Sequence, residues 1–294
     1  MKTPVIYVSI IGAALALGAV GGVVGKKLLG DESIVYEGDA NSIDFQIEPV
    51  YKEYLSYSGD PLKKFTPAEL INIGLENYRR CEKSYSVGIG VADTVVQQTI
   101  RNFQIRDGEQ FFEESISNSS MVSLANRMWQ TGKDGNIFIC RGTADGAEKG
   151  NYPSNDTEYS QEDYTNLLGR TLDSMFIYTV TDSTVLTSDI DNKDGYVITV
   201  TLDPVVGPYH YKFQMKNISN LDALPTFESV KLTFTFDKNL MLQHLSVDET
   251  YNAKMVISVT IHNTIEYYYF PNQEMKIPDK SESLDYTAKG VIEQ

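Results

Sequence analysis

Residues 229–270 read "SVKLTFTFDKNLMLQHLSVDETYNAKMVISVTIHNTIEYYYF". Val230, Leu232, Phe234 and Phe236 fall on one side of an extended chain and Lys231, Thr233 and Thr235 on the other, because successive strand side chains point to opposite faces. Asp237-Lys238-Asn239 has turn chemistry, with Asn239 suited to a left-handed backbone. Leu245 and Val247 continue the apolar side on the returning strand. Tyr251, Ala253, Met255, Ile257, Val259, Ile261, Ile265, Tyr267 and Tyr269 then alternate with Asn252, Lys254, Ser258, Thr260, His262, Thr264 and Glu266. An extended run near twenty residues would reach roughly 60 Å at about 3.3 Å each. Such a strand is expected to coil strongly, with a bulge near His262-Asn263.

Working upstream, "TPAELINIGLENYRR" carries an N-cap at Thr66, Pro67 at the first helical position and Glu69 to complete a capping box. Leu70, Ile71, Gly74, Leu75 and Tyr78 share a face at helical spacing. Three further helices are expected: a short one near Val50–Leu55, "SQEDYTNLLG" capped by Ser160, and "YHYKFQMKNISNL" with Tyr211, Met215 and Ile218 on one face. Residues 85–140 read as strands, with Asp107-Gly108 as a hairpin turn. "RGTADGAEKGNYPSNDTEYS" reads as a long loop, and "MFIYTV" and "GYVITVTLDP" return to strand.

The fold class expected from this pattern is mainly β (α+β). It is a strongly curved antiparallel half-barrel sheet with a few helices on its concave side, preceded by one N-terminal transmembrane helix. The apolar sheet face needs a cover, and the helices at 67–80 and 209–218 are the chief candidates.

The N-terminal stretch Val5–Val24 is a run of 20 residues without charge, closed by Lys26-Lys27. At about 1.5 Å per residue it matches a hydrocarbon core of roughly 30 Å. It exceeds the usual secretory h-region of about 7–15 residues, so an uncleaved anchor is preferred over a signal peptide cut after the small residues near Gly21. The expected division is a tail at 1–4, the anchor at 5–27, an acidic stalk at 28–64, the sheet domain at 65–270 and a polar tail at 271–294. Localisation is expected at the cell membrane, single-pass, with the C-terminal domain outside the cytoplasm. Lys2 before the span and Lys26-Lys27 after it leave charge without a vote on orientation.

The chain has 294 residues and a net charge of −15. Residues 1–30 hold three Lys and no acid, so the remainder carries −18. That charge repels nucleic acid and excludes it as a partner. Cys81 and Cys140 are the two cysteines, and outside the cytoplasm either a single bridge or two structural thiols fits them.

The order of a capped helix, long antiparallel strands and a closing pair of the type "VKLTFTFDKNLMLQHLSVDETY" resembles the lipoprotein-localisation carrier superfamily of envelope proteins. Its relatives include lipid-binding lipoproteins and the sensor domain of an envelope-stress regulator. The likeness covers roughly residues 65–270 and implies a half-barrel whose concave apolar face takes acyl chains. This chain lacks the lipidated Cys of the anchored members, and a transmembrane anchor does not suit a freely shuttling carrier.

No catalytic constellation is present: no G-x-S-x-G, H-E-x-x-H, phosphate-binding Gly-rich loop or C-x-x-C. His210, His244 and His262 are scattered. Asp189 and Asp191 have the spacing of calcium-loop ligands, but Lys193 occupies the fifth position and no Glu the twelfth, so "SDIDNKDGY" reads as a polar hairpin closed by Asp194-Gly195. No metal or cofactor is expected, and the chain is expected not to be an enzyme. Trp129 is expected in the sheet core. The 19 Tyr, including Tyr267-Tyr268-Tyr269, suit cross-strand packing or, more sharply, a groove for a glycan or peptide.

Three functions follow in order. The first is a membrane-anchored extracytoplasmic binding domain, anchored through residues 5–24. It holds a lipid or other apolar ligand against Val230, Leu232, Phe234, Phe236, Met255, Ile257 and Val259. The second is an envelope-sensing or protein-interaction module whose cavity is filled by its own helices. The third is a hydrolase, which lacks a recognisable nucleophile. An open apolar groove favours the first, and a face plugged by helix 67–80 favours the second.

Overall fold

The computed structural model describes residues 46–93, 97–120, 123–130, 132, 135–145, 149–152, 156–168, 177–219, 221, 223–254 and 258–279. The expected membrane span Val5–Val24 lies outside the described residues. Among the described residues no helix is long and apolar enough to cross a membrane.

Among the described residues twelve strands form one curved, open, antiparallel sheet. They are β1 (Lys83–Asp93), β2 (Gln98–Asp107), β3 (Gln110–Asn118), β4 (Ser123–Gln130), β5 (Ile137–Asp145), β6 (Lys149–Asn151), β7 (Thr157–Tyr159), β8 (Val185–Asp191), β9 (Tyr196–Leu202), β10 (Thr226–Phe236), β11 (Leu242–Lys254) and β12 (Ser258–Pro271). Their order is β6-β5-β4-β3-β2-β1-β12-β11-β10-β9-β8, and β7 also pairs β5. The sheet is thus two meanders joined in the middle, where β1 pairs β12 from Ser84↔Pro271 to Asp93↔His262. The segment read as a long loop therefore supplies the end of β5 and the short strands β6 and β7.

Among the described residues four α-helices accompany the sheet: α1 (Ile47–Ser56), α2 (Pro67–Arg79), α3 (Gln161–Leu168) and α4 (Tyr209–Ser219). The capping box of α2 forms as its sequence requires. Thr66 Oγ1 accepts from the Glu69 N–H at 3.2 Å, and Glu69 Oε2 accepts from the Thr66 N–H at 2.9 Å. Ser160 Oγ accepts from the Asp163 N–H at the start of α3. Residues 46–64 belong to the domain rather than to a stalk. Tyr51 of α1 is buried and donates to Asn77 Oδ1, and the Tyr54 hydroxyl donates to the Asn239 carbonyl. The reason is that Ile47, Val50, Tyr51 and Tyr54 recur at helical spacing and pack against the main core. Residues 271–279 are likewise no free tail, since Met275 and Ile277 pack against the sheet.

The long strand expected over 251–270 is in fact a hairpin. β11 ends at Lys254, which lies opposite Ser258 of β12, and Ala253↔Val259 and Tyr251↔Ile261 follow. Partners in this register always have the same parity. Odd-numbered residues therefore stay on one face through the reversal, and the alternation looks unbroken. The register is also continuous at His262 and Asn263, so no bulge lies there. The register shifts lie in the β10–β11 pairing, at Phe227/Ser229 and Thr235/Phe236, and in the β8–β9 pairing, at Val185/Thr187. In the β10–β11 turn the left-handed residue is Leu240 (φ 55°), not Asn239. Asp237 Oδ1 holds that turn by accepting from the N–H groups of Asn239 and Met241.

The two halves of the sheet keep their apolar cores on opposite faces. On β9–β12 the apolar side faces α2 and α4. On β1–β5 it is the reverse side. Tyr85, Ile105, Phe112, Trp129 and Phe138 form one cross-strand row, and Val87, Phe103, Glu114, Arg127 and Cys140 form the next. Trp129 stacks on Phe138 there at 5.8 Å, and Tyr85 stacks on Phe270 at 4.4 Å. This back-face core is closed by Tyr152, Met275 and Ile277. The remaining back face, on β11 and β12, is solvated: Ser258, Thr260, His262 and Thr264 are exposed.

Candidate functional site

The face expected to hold an apolar ligand is a packed core. Val230, Leu232 and Phe234 are fully buried, Phe236 and Val259 nearly so, and they pack together with Leu70, Ile71 and Ile73 of α2. The approach is close enough that a Cβ on Gly74 would lie 2.2 Å from the Phe236 ring. The Asn72 amide donates to the Val180 carbonyl and the Asn77 amide to the Leu240 carbonyl, pinning α2 along its length. α4 adds Tyr211 and Met215, with Tyr211 against Phe227 and Phe227 against Tyr251. The structure brings five of the seven expected residues together and fills the space in front of them with helix. Met255 and Ile257 lie outside the described residues.

Beside this core, the same face carries buried polar groups. Glu249 interrupts the apolar series Leu245, Val247, Tyr251, Ala253 on β11, and Asn263 interrupts Ile261, Ile265, Tyr267 on β12. The two are register partners. Asn263 Nδ2 donates to Glu249 Oε1 at 2.9 Å, and the Tyr178 hydroxyl donates to Glu249 Oε2. Both side chains are completely buried. Desolvation raises the Glu249 pKa to about 7, although the hydrogen bonds from Tyr178, Asn263 and Tyr211 work in the opposite direction. Burial also pushes the Tyr178, Tyr211 and Tyr251 hydroxyls well above the ordinary phenol range, so they remain neutral.

Across the β12–β1 junction this face becomes small and then mixed, with buried Ile100, Met128 and Ile139 beside buried polar groups. Tyr267 lies over Gly88, where an added Cβ would meet its ring at 2.5 Å. The row then runs Gly88, Asn102, Ser115, Asn126, Arg141. Glu113, one row along, accepts from Asn102 Nδ2 at 3.1 Å and Gln104 Nε2 at 2.9 Å. Asn102, Glu113, Ser115 and Ser117 are buried. Desolvation lowers the Arg141 pKa to about 10. The interruptions at Glu249 and Asn263 were visible as polar residues at apolar positions. The second of them accounts for the break in pattern that suggested a bulge.

Cys81 and Cys140 are both buried and unbridged. Cys81 sits before β1 with its Sγ 3.9 Å from Met241 Sδ, whereas Cys140 is on the back face of β5. Four strand spacings of about 4.8 Å separate β1 from β5, well beyond the Cα separation of about 4.4–6.8 Å that a bridge needs. Among the described residues no group of three or more His, Cys, Asp or Glu could hold a metal. Asp189, Asp191 and Gly195 belong to the β8–β9 hairpin. His244 pairs with Glu266 at 2.8 Å and His262 with Asp248 at 3.2 Å, both as cross-strand surface pairs, while His210 is buried on α4. Tyr267 and Tyr269 of the Tyr triplet pack into the helix-side core, and Tyr268 faces the other way against His244.

No protein-family model matches this chain, and no curated protein matches it.

Proposed function

We propose that this protein is a membrane-anchored extracytoplasmic module that senses or docks a partner in the cell envelope. The observation that carries the reading is the occupation of the sheet's apolar face by α2 and α4. A lipid carrier keeps that face open. Here Leu70, Ile71 and Ile73 stand where an acyl chain would lie. The acidic domain and the uncharged run at Val5–Val24 support the location outside the membrane surface. The edge strand β8 supports the docking role, because its outer side pairs with no strand among the described residues and Leu186 on it is 58 % exposed. Such an edge offers backbone donors and acceptors to an added strand.

Two measurements on the full chain test the proposal. A photo-crosslinking residue at Leu186 should capture a specific envelope protein in native membranes, and organic extracts of the purified chain should hold no stoichiometric lipid. Stoichiometric lipid without a crosslinked protein would return the chain to the carrier reading, with α2 as a segment that moves aside.

A further inference from the structure

We infer that the partner of the β8 edge is an extended polypeptide segment in which basic and apolar residues alternate, added to the sheet as a further strand. The inference rests on the docking reading of that edge and adds the chemistry of what docks. Leu186, Thr187, Ser188, Asp189 and Asp191 of β8 are exposed. From Thr187↔Thr201 to Asp191↔Val197 the pairing with β9 runs without a shift, an edge of roughly 16 Å at about 3.3 Å per residue. In an antiparallel pair every second residue turns its N–H and C=O away from the neighbouring strand. This stretch therefore has main-chain groups to offer on its outer side.

Side chains select the occupant. Thr187, Asp189 and Asp191 pair with Thr201, Thr199 and Val197 and so lie on the solvated back face. Ser188 and Ile190 pair with Val200 and Ile198, two residues of the helix-side core, and Ile190 packs against that core. Asp189 and Asp191 are two residues apart, about 7 Å along the strand. An added strand sets its directly opposed side chains about 4.5–5.5 Å from theirs at Cβ. Lysine or arginine at alternate positions meets both carboxylates, and the apolar residues between them extend the core past Ile190. The surroundings carry the same sign, since residues 181–203 hold five Asp and one Lys. That Lys193 lies 3.7 Å from Asp191, whereas Asp189 has no partner among the described residues. A second copy of the chain is a poor occupant, because it brings the same Asp residues and a charge of −18 outside residues 1–30. Charges on an edge strand guard it against stray pairing. Here the guard turns away acidic strands and admits basic ones.

The test titrates the full chain in phosphatidylcholine nanodiscs, with empty nanodiscs as the blank. The probe is a blocked heptapeptide with two lysines two residues apart among valine and threonine. Its controls are the same peptide with glutamate for lysine and a copy N-methylated along its central residues. Calorimetry should show saturable binding of the lysine peptide, weakened by salt, and binding of both controls weaker by about tenfold or more. D189N/D191N removes two exposed carboxylates and should leave Tm unchanged, while lysine-peptide affinity falls about fivefold. If the double variant fails to fold, D189N carries the comparison with a fall of about twofold. The inference is overturned if the lysine peptide does not bind, if either control binds as tightly, or if the variant binds it unchanged. It is also overturned by a dimer of the full chain that Leu186→Asp dissolves, which would give the edge to a second copy. A crosslinked envelope protein at Leu186 with no preference for the lysine peptide would sink this inference and spare the docking reading. Lysine-peptide binding with no crosslinked protein would sink the envelope partner and leave the inference standing.

Discussion

Glu249 is a carboxylic acid placed where the strand pattern calls for an apolar side chain. Its pKa of about 7 lies above the ordinary value of 4.5, so the folded state binds its proton more tightly than the unfolded state does. Below pH about 4.5 both states are protonated, and the folded chain has the full benefit. As pH rises through about 7 that contribution is lost, on the order of 3 kcal/mol in all. Glu249→Gln keeps an acceptor for Asn263 and presents an amide donor to Tyr178 with no charge to bury. It should therefore raise Tm at pH 8, and it should flatten the fall in stability between pH 5 and pH 8 seen by thermal denaturation of the parent. Gly74 is the second residue whose identity is dictated by its surroundings. Ala there gains about 1 kcal/mol of helix propensity. Its methyl would lie 2.2 Å from the Phe236 ring, however, and overpacking of this kind costs about 1–3 kcal/mol. G74A should lower Tm, and adding Phe236→Leu should recover part of the loss.

At the scale of elements, α2 is both the best-marked helix of the sequence and the cover of the sheet. Its C-terminal end is tied down by charge. Glu76 is buried, which works to raise its pKa, but hydrogen bonds from Arg79 and Arg80 outweigh burial and hold it low. Arg80 also reaches Glu48 of α1 at 2.7 Å and lies 4.5 Å over the Tyr51 ring, so α1 and α2 are joined at this point. Thr66→Ala removes one half of the capping box and should cost about 1 kcal/mol in chemical denaturation, with the m-value unchanged. The segment after β12 has a comparable role on the back face, where Met275 and Ile277 pack against the core that contains Trp129. Ile277→Asp should open that face. The expected readout is a shift in Trp129 fluorescence and greater proteolysis near the C-terminal end, with the α2-covered half of the sheet retained.

On the scale of the whole molecule, β1 and β12 pair at the centre of the sheet although nearly the whole domain separates them in sequence. That closing contact is long-range and is expected to slow folding. It also divides the cysteines between regions that do not meet. Thiol titration of the denatured, unreduced chain should find both Cys81 and Cys140 free, and a single count of zero would overturn this arrangement of strands.

Local information determined much of this protein. The α2 capping box, the Ser160 cap, the Asp107-Gly108 hairpin and the alternation of β10 are each written within a few residues, and each forms as read. Alternation also determined which residues share a face: Val230, Leu232, Phe234, Phe236 and Val259 do lie together. What alternation cannot carry is where a strand reverses or which face a neighbouring strand turns inward. A hairpin whose partners have equal parity leaves the pattern intact, so Tyr251–Tyr269 looked like one strand. The odd-numbered apolar residues of β1, Tyr85, Val87 and Ile89, belong to the back face because Gly88 and Gly90 leave room for Tyr267 and Ile265 on the other. Only tertiary packing decided that α2 fills the apolar half. Asn102 and Ser115 meet in the local β2–β3 hairpin, but only the β1–β12 pairing, which joins distant parts of the chain, sets that hairpin beside the apolar half.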